Sequence, residues 1–139
     1  MKWLKSYNIF ESNISKERID EILDTIQYFL DEWDIFKSKN SSFTSLASHR
    51  SYPNFRLSSK EFINEWTYSL DEDKLVILII MNRDLYPTDE KREKIFTLKE
   101  TLSKSFLPMI EEKSKIEILE QKIDSWNYVP TGIRIEIEL

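Results

Sequence analysis

The chain has 139 residues, of which 40% are hydrophobic and 32% charged, and its formal net charge is −5. A chain of this length and composition can bury a core of its own, so a single domain is predicted over residues 1–139. It contains no cysteine and one glycine. This excludes disulfides, thiolate metal sites and the glycine-rich loops that bind nucleotide phosphates.

The N-terminal residues lack the continuous apolar stretch of a signal peptide. The longest apolar run, residues 75–81, is far shorter than the roughly 20 residues of a membrane-spanning helix. We therefore expect a soluble protein of the cytoplasm that makes no contact with a membrane.

A first amphipathic helix is predicted between residues 15 and 37, where apolar residues recur at the three-and-four spacing of one helical face. These residues are Ile19, Ile22, Leu23, Ile26, Phe29, Leu30, Trp33 and Phe36. Ser15 precedes the pattern and is a residue type that caps helix N-termini. The helix is therefore predicted to begin after Ser15.

Residues 1–13 are predicted to form a separate N-terminal arm with apolar side chains. The arm either docks on its own domain or contacts another protein. Its candidate interface residues are Trp3, Leu4, Tyr7 and Phe10.

Residues 37–60 differ in composition from the rest of the chain. They include eight serines and five basic residues but no Asp or Glu. We expect a long loop that ends in a short strand near residues 52–57. Basic residues interleaved with aromatic ones can bind phosphates and stack on bases. The candidate nucleic-acid or phosphate ligands are Arg50, Tyr52, Arg56 and Lys60.

A β-hairpin is predicted next. Trp66, Tyr68 and Leu70 alternate with polar residues, which is the period of a half-buried strand. After a polar turn at residues 71–74, the apolar run 75–81 is typical of a central strand that is covered on both faces. If helices cover one face alone, the other face requires a partner chain.

A second helix is predicted after Thr88, a good N-cap, and Pro108 is expected to end or kink it. Its buried face is predicted from Ile95, Leu98, Leu102, Phe106 and either Met109 or Ile110.

Two closing strands are expected around residues 116–119 and 133–139, with a turn at residues 130–132 between them. The predicted fold is α+β: a two-layer sandwich in which two amphipathic helices pack on an antiparallel or mixed sheet of about four to five strands.

The sequence offers no motif for catalysis, a cofactor or a metal. His49 is the only histidine, no nucleophile motif accompanies it, and an ordinary loop residue is the simpler interpretation. Carboxylates that converge in a cleft would be needed for a metal-dependent hydrolase. The candidates are Asp20, Asp24, Asp71, Asp73 and Asp84.

The first twelve residues, Met-Lys-Trp-Leu-Lys-Ser-Tyr-Asn-Ile-Phe-Glu-Ser, resemble the start of small uncharacterised proteins of tailed bacteriophages. Some of these proteins also share the order of an acidic helix, a hairpin, a second helix and a closing strand like residues 132–137. The resemblance implies a phage origin and the cytoplasm of the host cell. It implies no activity and no catalytic residues.

Our leading hypothesis from the sequence is a non-catalytic protein that acts through protein–protein contact, with a protein partner or a second copy of itself. One alternative is a nucleic-acid-binding accessory protein that uses residues 37–60. The other is a small carboxylate- and metal-dependent hydrolase.

Overall fold

The computed structural model describes residues 2–39 and 63–139. Its helices and strands, in chain order, are α1 (Lys2–Asp31), β1 (Phe36–Lys37), β2 (Glu65–Asp71), β3 (Lys74–Ile80), α2 (Asp89–Thr101), β4 (Ser114–Lys122) and β5 (Tyr128–Glu138). The strands form one sheet in the order β1-β2-β3-β5-β4. β1 pairs with β2 in parallel, and the other neighbours are antiparallel. The predicted α+β class with a mixed sheet is confirmed.

Both helices pack on one face of the sheet, because their apolar stripes and alternate sheet residues share one core. The helical contribution is Ile19, Ile22, Leu23, Ile26 and Leu30 from α1, and Ile95, Leu98, Leu102 and Phe106 from α2 and the turn after it. The sheet contributes Trp66, Leu75, Ile77, Ile79, Ile133, Ile135 and Ile137. The spacing of two in the strands and of three or four in the helices is what places these residues on facing surfaces.

β3 is the central strand of the five. Val76, Leu78 and Ile80 alternate with the core residues and point to the opposite face of the sheet. All six residues from Leu75 to Ile80 are at most 2% exposed within the single chain. The prediction of a central strand covered on both faces is confirmed, and no partner chain is needed to bury it.

Two polar contacts fix α1 to the rest of the domain. The indole Nε1 of Trp66 donates to Oε1 of Gln27 at 2.7 Å. The Nε of Arg18 donates to both carboxylate oxygens of Glu112, at 2.6 and 3.2 Å. Glu112 lies just before β4, which is an edge strand of the sheet. This ion pair therefore joins α1 to the segment that leads into that edge strand.

α1 begins at Lys2, so the predicted helix start after Ser15 is wrong. The first prolines and the glycine lie beyond residue 50, and nothing in residues 2–31 interrupts a helix. The predicted N-terminal arm 1–13 is therefore helical from Lys2 on and continuous with α1. The predicted strand at 52–57 lies outside the described residues.

The second helix follows its prediction closely. Thr88 caps α2, because its Oγ1 accepts a hydrogen bond from the backbone N–H of Lys91 at 3.3 Å. The helix passes through a π-helical turn at Leu102–Phe106 and ends in a 3-10 turn that contains Pro108. Ile110 is buried and Met109 is exposed, which settles the alternative left open by the sequence.

The predicted turn at residues 130–132 is wrong, because these residues belong to β5. Pro130 has no N–H to donate, but it pairs only with β4, at a bulge between Leu119 and Glu120. The connection between β4 and β5 instead spans residues 123–127. There the side chain of Asp124 accepts hydrogen bonds from the backbone N–H groups of Trp126 and Asn127, at 2.9 and 3.0 Å.

Gly132 permits the close approach of β5 to β3. A Cβ at this position would overlap the carbonyl oxygen of Ile79 and lie 2.9 Å from its carbonyl carbon. Both neighbours are backbone atoms in the central strand, and they have no side-chain freedom with which to move away. The single glycine of the chain therefore stands where the backbone of β3 leaves no room for a side chain on β5.

We expect Gly132→Ala to lower the free energy of unfolding by at least about 3 kcal/mol, because the methyl group displaces backbone in the centre of the sheet. Denaturant unfolding measures the change. Lys115→Ala, at an exposed position of β4, is the control and should change stability by less than about 0.5 kcal/mol. Equal stability of the two variants would contradict the close approach.

A charged network crosses the sheet on the face opposite the helices. Glu136 contacts Nζ of Lys74 at 2.7 Å and Nη1 of Arg134 at 2.8 Å, and Arg134 also contacts Glu117 at 3.3 Å. The hydrogen bond from Lys74, followed by that from Arg134, lowers the pKa of Glu136 from 4.5 to about 2. The carboxylate is thus stabilised in its ionised form in the folded protein.

A folded-state pKa below the unfolded value means that Glu136 stabilises the fold above about pH 4.5, and that this contribution is lost as pH falls from 4.5 towards 2. We expect Glu136→Gln to cost about 2 kcal/mol at pH 7, since hydrogen bonds to charged groups are the stronger ones. The difference from the unmodified protein should shrink as the pH is lowered to 3. Urea unfolding across this range measures it, with Glu138→Gln as the control. If the difference in unfolding free energy between Glu136→Gln and the unmodified protein does not change with pH, the lowered pKa of Glu136 is contradicted.

Candidate functional site

One end of the sheet gathers three connecting segments. Ile80, the last residue of β3, pairs with Glu65 at the start of β2 and with Gly132 in β5. The turn at residues 63–64, the loop 81–88 and the loop 123–127 therefore all lie at this end. We call these residues, together with Tyr128, the loop end of the sheet.

Asn82 fixes the loop 81–88 to β5. Its side chain is buried, donates to the carbonyl oxygens of Pro130 at 3.0 Å and Asp84 at 3.3 Å, and accepts from the backbone N–H of Asp84 at 3.1 Å. The backbone N–H groups of Met81 and Asn82 both donate to the carbonyl oxygen of Thr131, at 2.9 and 3.0 Å. Three of these five hydrogen bonds join the start of the loop to β5, and the other two lie within the loop, between Asn82 and Asp84.

The same loop is tied to α2 and to β2. Asp84 forms an ion pair with Lys91 in the first turns of α2. On the other side, the backbone N–H of Asn64 donates to the carbonyl oxygen of Ile80 at 2.7 Å, with Asn64 in a left-handed conformation at φ 58°. Asn is one of the few residue types that tolerate this conformation.

The loop 123–127 is ordered by its own side chains. Besides its two backbone hydrogen bonds, Asp124 accepts from the side-chain amide of Asn127 at 2.9 Å. The side-chain hydrogen bond from Asn127, followed by the backbone N–H of Trp126, lowers the pKa of Asp124 below its usual value. The backbone N–H of Ile123 closes the loop by donating to the carbonyl oxygen of Asn127 at 2.9 Å.

These fixed loops present large side chains to solvent. Trp126 is 88% exposed and Tyr86 is 81% exposed, and Leu85 and Tyr128 are each more than two-fifths exposed. We call these four residues the aromatic surface. A single exposed apolar residue is ordinary, but several on neighbouring connections at one end of a sheet are characteristic of a binding surface.

A cleft of about 270 Å³ opens at the loop end, between the turn at residues 63–64, the loop after β3 and the first turns of α2. Its described lining consists of Ile63, Asn64, Met81, Asn82, Arg83, Asp84, Lys91 and Lys94. Three of these side chains are basic and one is acidic. The charges of the described segments around the cleft are balanced, since residues 81–94 and 120–128 together contain five basic and six acidic residues.

The structure does not describe the side chains of the site residues predicted from the sequence. Arg50, Tyr52, Arg56 and Lys60, with His49, lie outside the described residues. Trp3, Leu4, Tyr7 and Phe10 lie in α1, and their side chains are outside what the structure describes. These interface and phosphate-binding assignments stay predictions.

The candidate carboxylates do not converge. Asp20 and Asp24 lie on α1, and Asp71 and Asp73 lie at the turn between β2 and β3. Asp84 follows the opposite end of β3, about 20 Å away along a seven-residue strand. Among residues 2–39 and 63–139, no group of three or more Asp, Glu or His side chains is placed to hold a metal ion. The hydrolase hypothesis therefore has no support in the described fold.

Sequence patterns had not singled out the aromatic surface or the cleft. A signal for the aromatic surface is present in Asp124-Ser125-Trp126-Asn127, where turn-forming residues surround a tryptophan. The turn was instead predicted at residues 130–132, so Trp126 was not assigned to an exposed loop. The cleft depends on contacts between residues far apart in the chain, which no local sequence pattern indicates.

Comparison of the chain with protein-family models, curated proteins and solved structures gave no match. Within the described ranges, neither helix is long and apolar enough to cross a membrane.

We expect Asn82→Ala to lower the free energy of unfolding by about 2 kcal/mol, because it leaves buried partners such as the carbonyl of Pro130 without their donor. Hydrogen exchange of residues 81–86 should also accelerate. Chemical denaturation and exchange mass spectrometry measure the two effects. Ser125→Ala, at an exposed position in the neighbouring loop, should leave both unchanged. Unaltered exchange in Asn82→Ala would contradict the organising role of this side chain.

Proposed function

We propose that the protein is a non-catalytic binding protein that contacts a protein partner through the aromatic surface at the loop end. The observation that carries the proposal is the exposure of Trp126 and Tyr86 at 88% and 81% on loops that hydrogen bonds hold in place. Trp and Tyr are enriched among the residues that dominate binding energy at protein interfaces.

The order of these loops favours tight binding. A surface that is already fixed loses little conformational entropy when it binds, so more of the contact energy appears as affinity. Asp124 holds the backbone beside Trp126, and Asn82 holds the start of the loop that contains Tyr86. Both exposed aromatic side chains therefore belong to loops whose backbone is held by hydrogen bonds.

The charge of this end favours a protein over a nucleic acid. Nucleic-acid-binding surfaces carry a marked excess of Lys and Arg. In the described segments 81–94 and 120–128 acidic residues slightly outnumber basic ones, and the whole chain has a net charge of −5. The aromatic residues are thus set in a mixed surface, as is usual for protein interfaces.

The resemblance to bacteriophage proteins supports a place of action in the cytoplasm of a bacterial host. We propose that the partner is a phage or host protein met there.

A crosslinking experiment tests the proposal. A photoreactive phenylalanine analogue is placed at position 86 or 126, and at position 28 as the control. Tyr28 is 68% exposed on α1, so it matches Tyr86 in residue type and exposure. We expect positions 86 and 126 to yield adducts with the same protein and position 28 to yield none. Adducts with nucleic acid, or equal yields at position 28, would contradict the proposal.

The partner identified in this way is then purified and its affinity measured by calorimetry. We expect Trp126→Ala to weaken binding at least about tenfold, which corresponds to about 1.4 kcal/mol. Tyr28→Ala should leave the affinity unchanged. Binding that is insensitive to Trp126→Ala but lost in Arg50→Ala/Arg56→Ala would instead favour the basic segment as the interface.

A further inference from the structure

The cleft beside the aromatic surface has a basic side chain with no partner in the described part of the chain. Arg83 lines the cleft and is only partly exposed. No hydrogen bond or ion pair joins its guanidinium to a residue in 16–39 or 63–139. Its five N–H donors are not among the buried unpartnered groups of the described residues, so they reach solvent and remain open to an acceptor.

The two lysines of the cleft lie three residues apart on one face of α2. Lys91 is paired with Asp84, the one carboxylate in the described lining. The nearest described carboxylate to Lys94 is that of Glu90, at 3.9 Å and with both side chains more than half exposed. Exposed pairs of this kind contribute little. Arg83 and Lys94 therefore remain available to a ligand.

From this arrangement we propose that the cleft binds an oxyanion between Arg83 and Lys94. The planar guanidinium donates two parallel hydrogen bonds to a carboxylate or phosphate, and the ammonium adds a point charge. A volume of about 270 Å³ is large enough for a carboxylate side chain with accompanying water. Resting on the proposed function, we assign the oxyanion to an Asp or Glu side chain of the protein partner, with Tyr86 three residues from Arg83 contacting the same partner.

The first test uses free anions and does not depend on the partner. Backbone amide NMR signals are followed during titration with inorganic phosphate and with N-acetylglutamate, against sodium chloride at the same ionic strength. We expect saturable shifts at residues 63–64, 81–84, 91 and 94 with both oxyanions. Arg83→Gln/Lys94→Gln should remove them. Shifts that persist in this variant, or that chloride reproduces, would overturn the proposal.

A matched double variant controls for charge. Arg92 and Lys99 also lie on α2 but do not line the cleft, so Arg92→Gln/Lys99→Gln makes the same change in net charge. We expect this variant to bind both anions like the unmodified protein. Equal loss in the two double variants would show a general effect of charge and would overturn the site.

The second test uses the crosslinked partner. We expect Arg83→Gln/Lys94→Gln to weaken its binding about tenfold and to reduce the dependence of affinity on salt. Phosphate binding with unchanged partner affinity would overturn the assignment of the oxyanion to the partner. If Trp126→Ala weakens partner binding and the cleft variant does not, the inference fails while the proposed function stands. If neither variant weakens it, the proposed function itself fails.

Discussion

The contact between β5 and β3 at Gly132 is the constraint on which the other parts of the fold depend. β5 lies between β3 and β4 in the sheet, so it joins the hairpin of β2 and β3 to the last third of the chain. Its inward residues, Ile133, Ile135 and Ile137, also supply the surface on which the helices pack. A side chain at position 132 would separate β5 from β3 at the start of their pairing, and each of these contacts follows from that pairing.

The contact of β5 with β3 at Gly132 also positions the loop end of the sheet. Two residues before Gly132, the carbonyl oxygen of Pro130 accepts a hydrogen bond from the side-chain amide of Asn82. The carbonyl oxygen of Thr131 accepts hydrogen bonds from the backbone N–H groups of Met81 and Asn82, which follow β3. The loop with Arg83 and Tyr86 is therefore positioned by the backbone of β5 next to Gly132. The position of the candidate site therefore depends on the pairing of β5 with β3 in the core.

Strong local patterns in the sequence predicted most of the described fold. The strand β2, the continuous apolar run of β3 and the cap at Thr88 each have a local physical cause and lie where they were predicted. The alternation predicted for β2 is only partly confirmed, because Trp66 is buried but Leu70 is 54% exposed. The errors arose where a local signal was overridden. Ser15 is a good cap but lies within a longer helix, and Pro130-Thr131-Gly132 is typical of turns but is tolerated in a strand because of the bulge and the close approach.

The candidate site was less predictable, because its parts meet only through tertiary contacts. Asn82 contacts Pro130 across 48 positions of the chain, and the cleft brings the turn at 63–64 together with α2. No periodicity connects such residues. The residues favoured from composition, Arg50, Tyr52, Arg56 and Lys60, lie outside the described residues, and their role stays a prediction.

The pairing of β3 with β5 also has a consequence during synthesis of the chain. The paired residues Ile80 and Gly132 are 52 positions apart, so a ribosome that adds roughly 5–20 residues per second needs several seconds to supply the second strand. Throughout this interval the most apolar strand of the protein has β2 beside it but an open edge on the other side. Nascent strands of this kind are recognised by holding chaperones and are prone to pair with other chains. The yield of folded protein should therefore depend on how long translation pauses between these two strands.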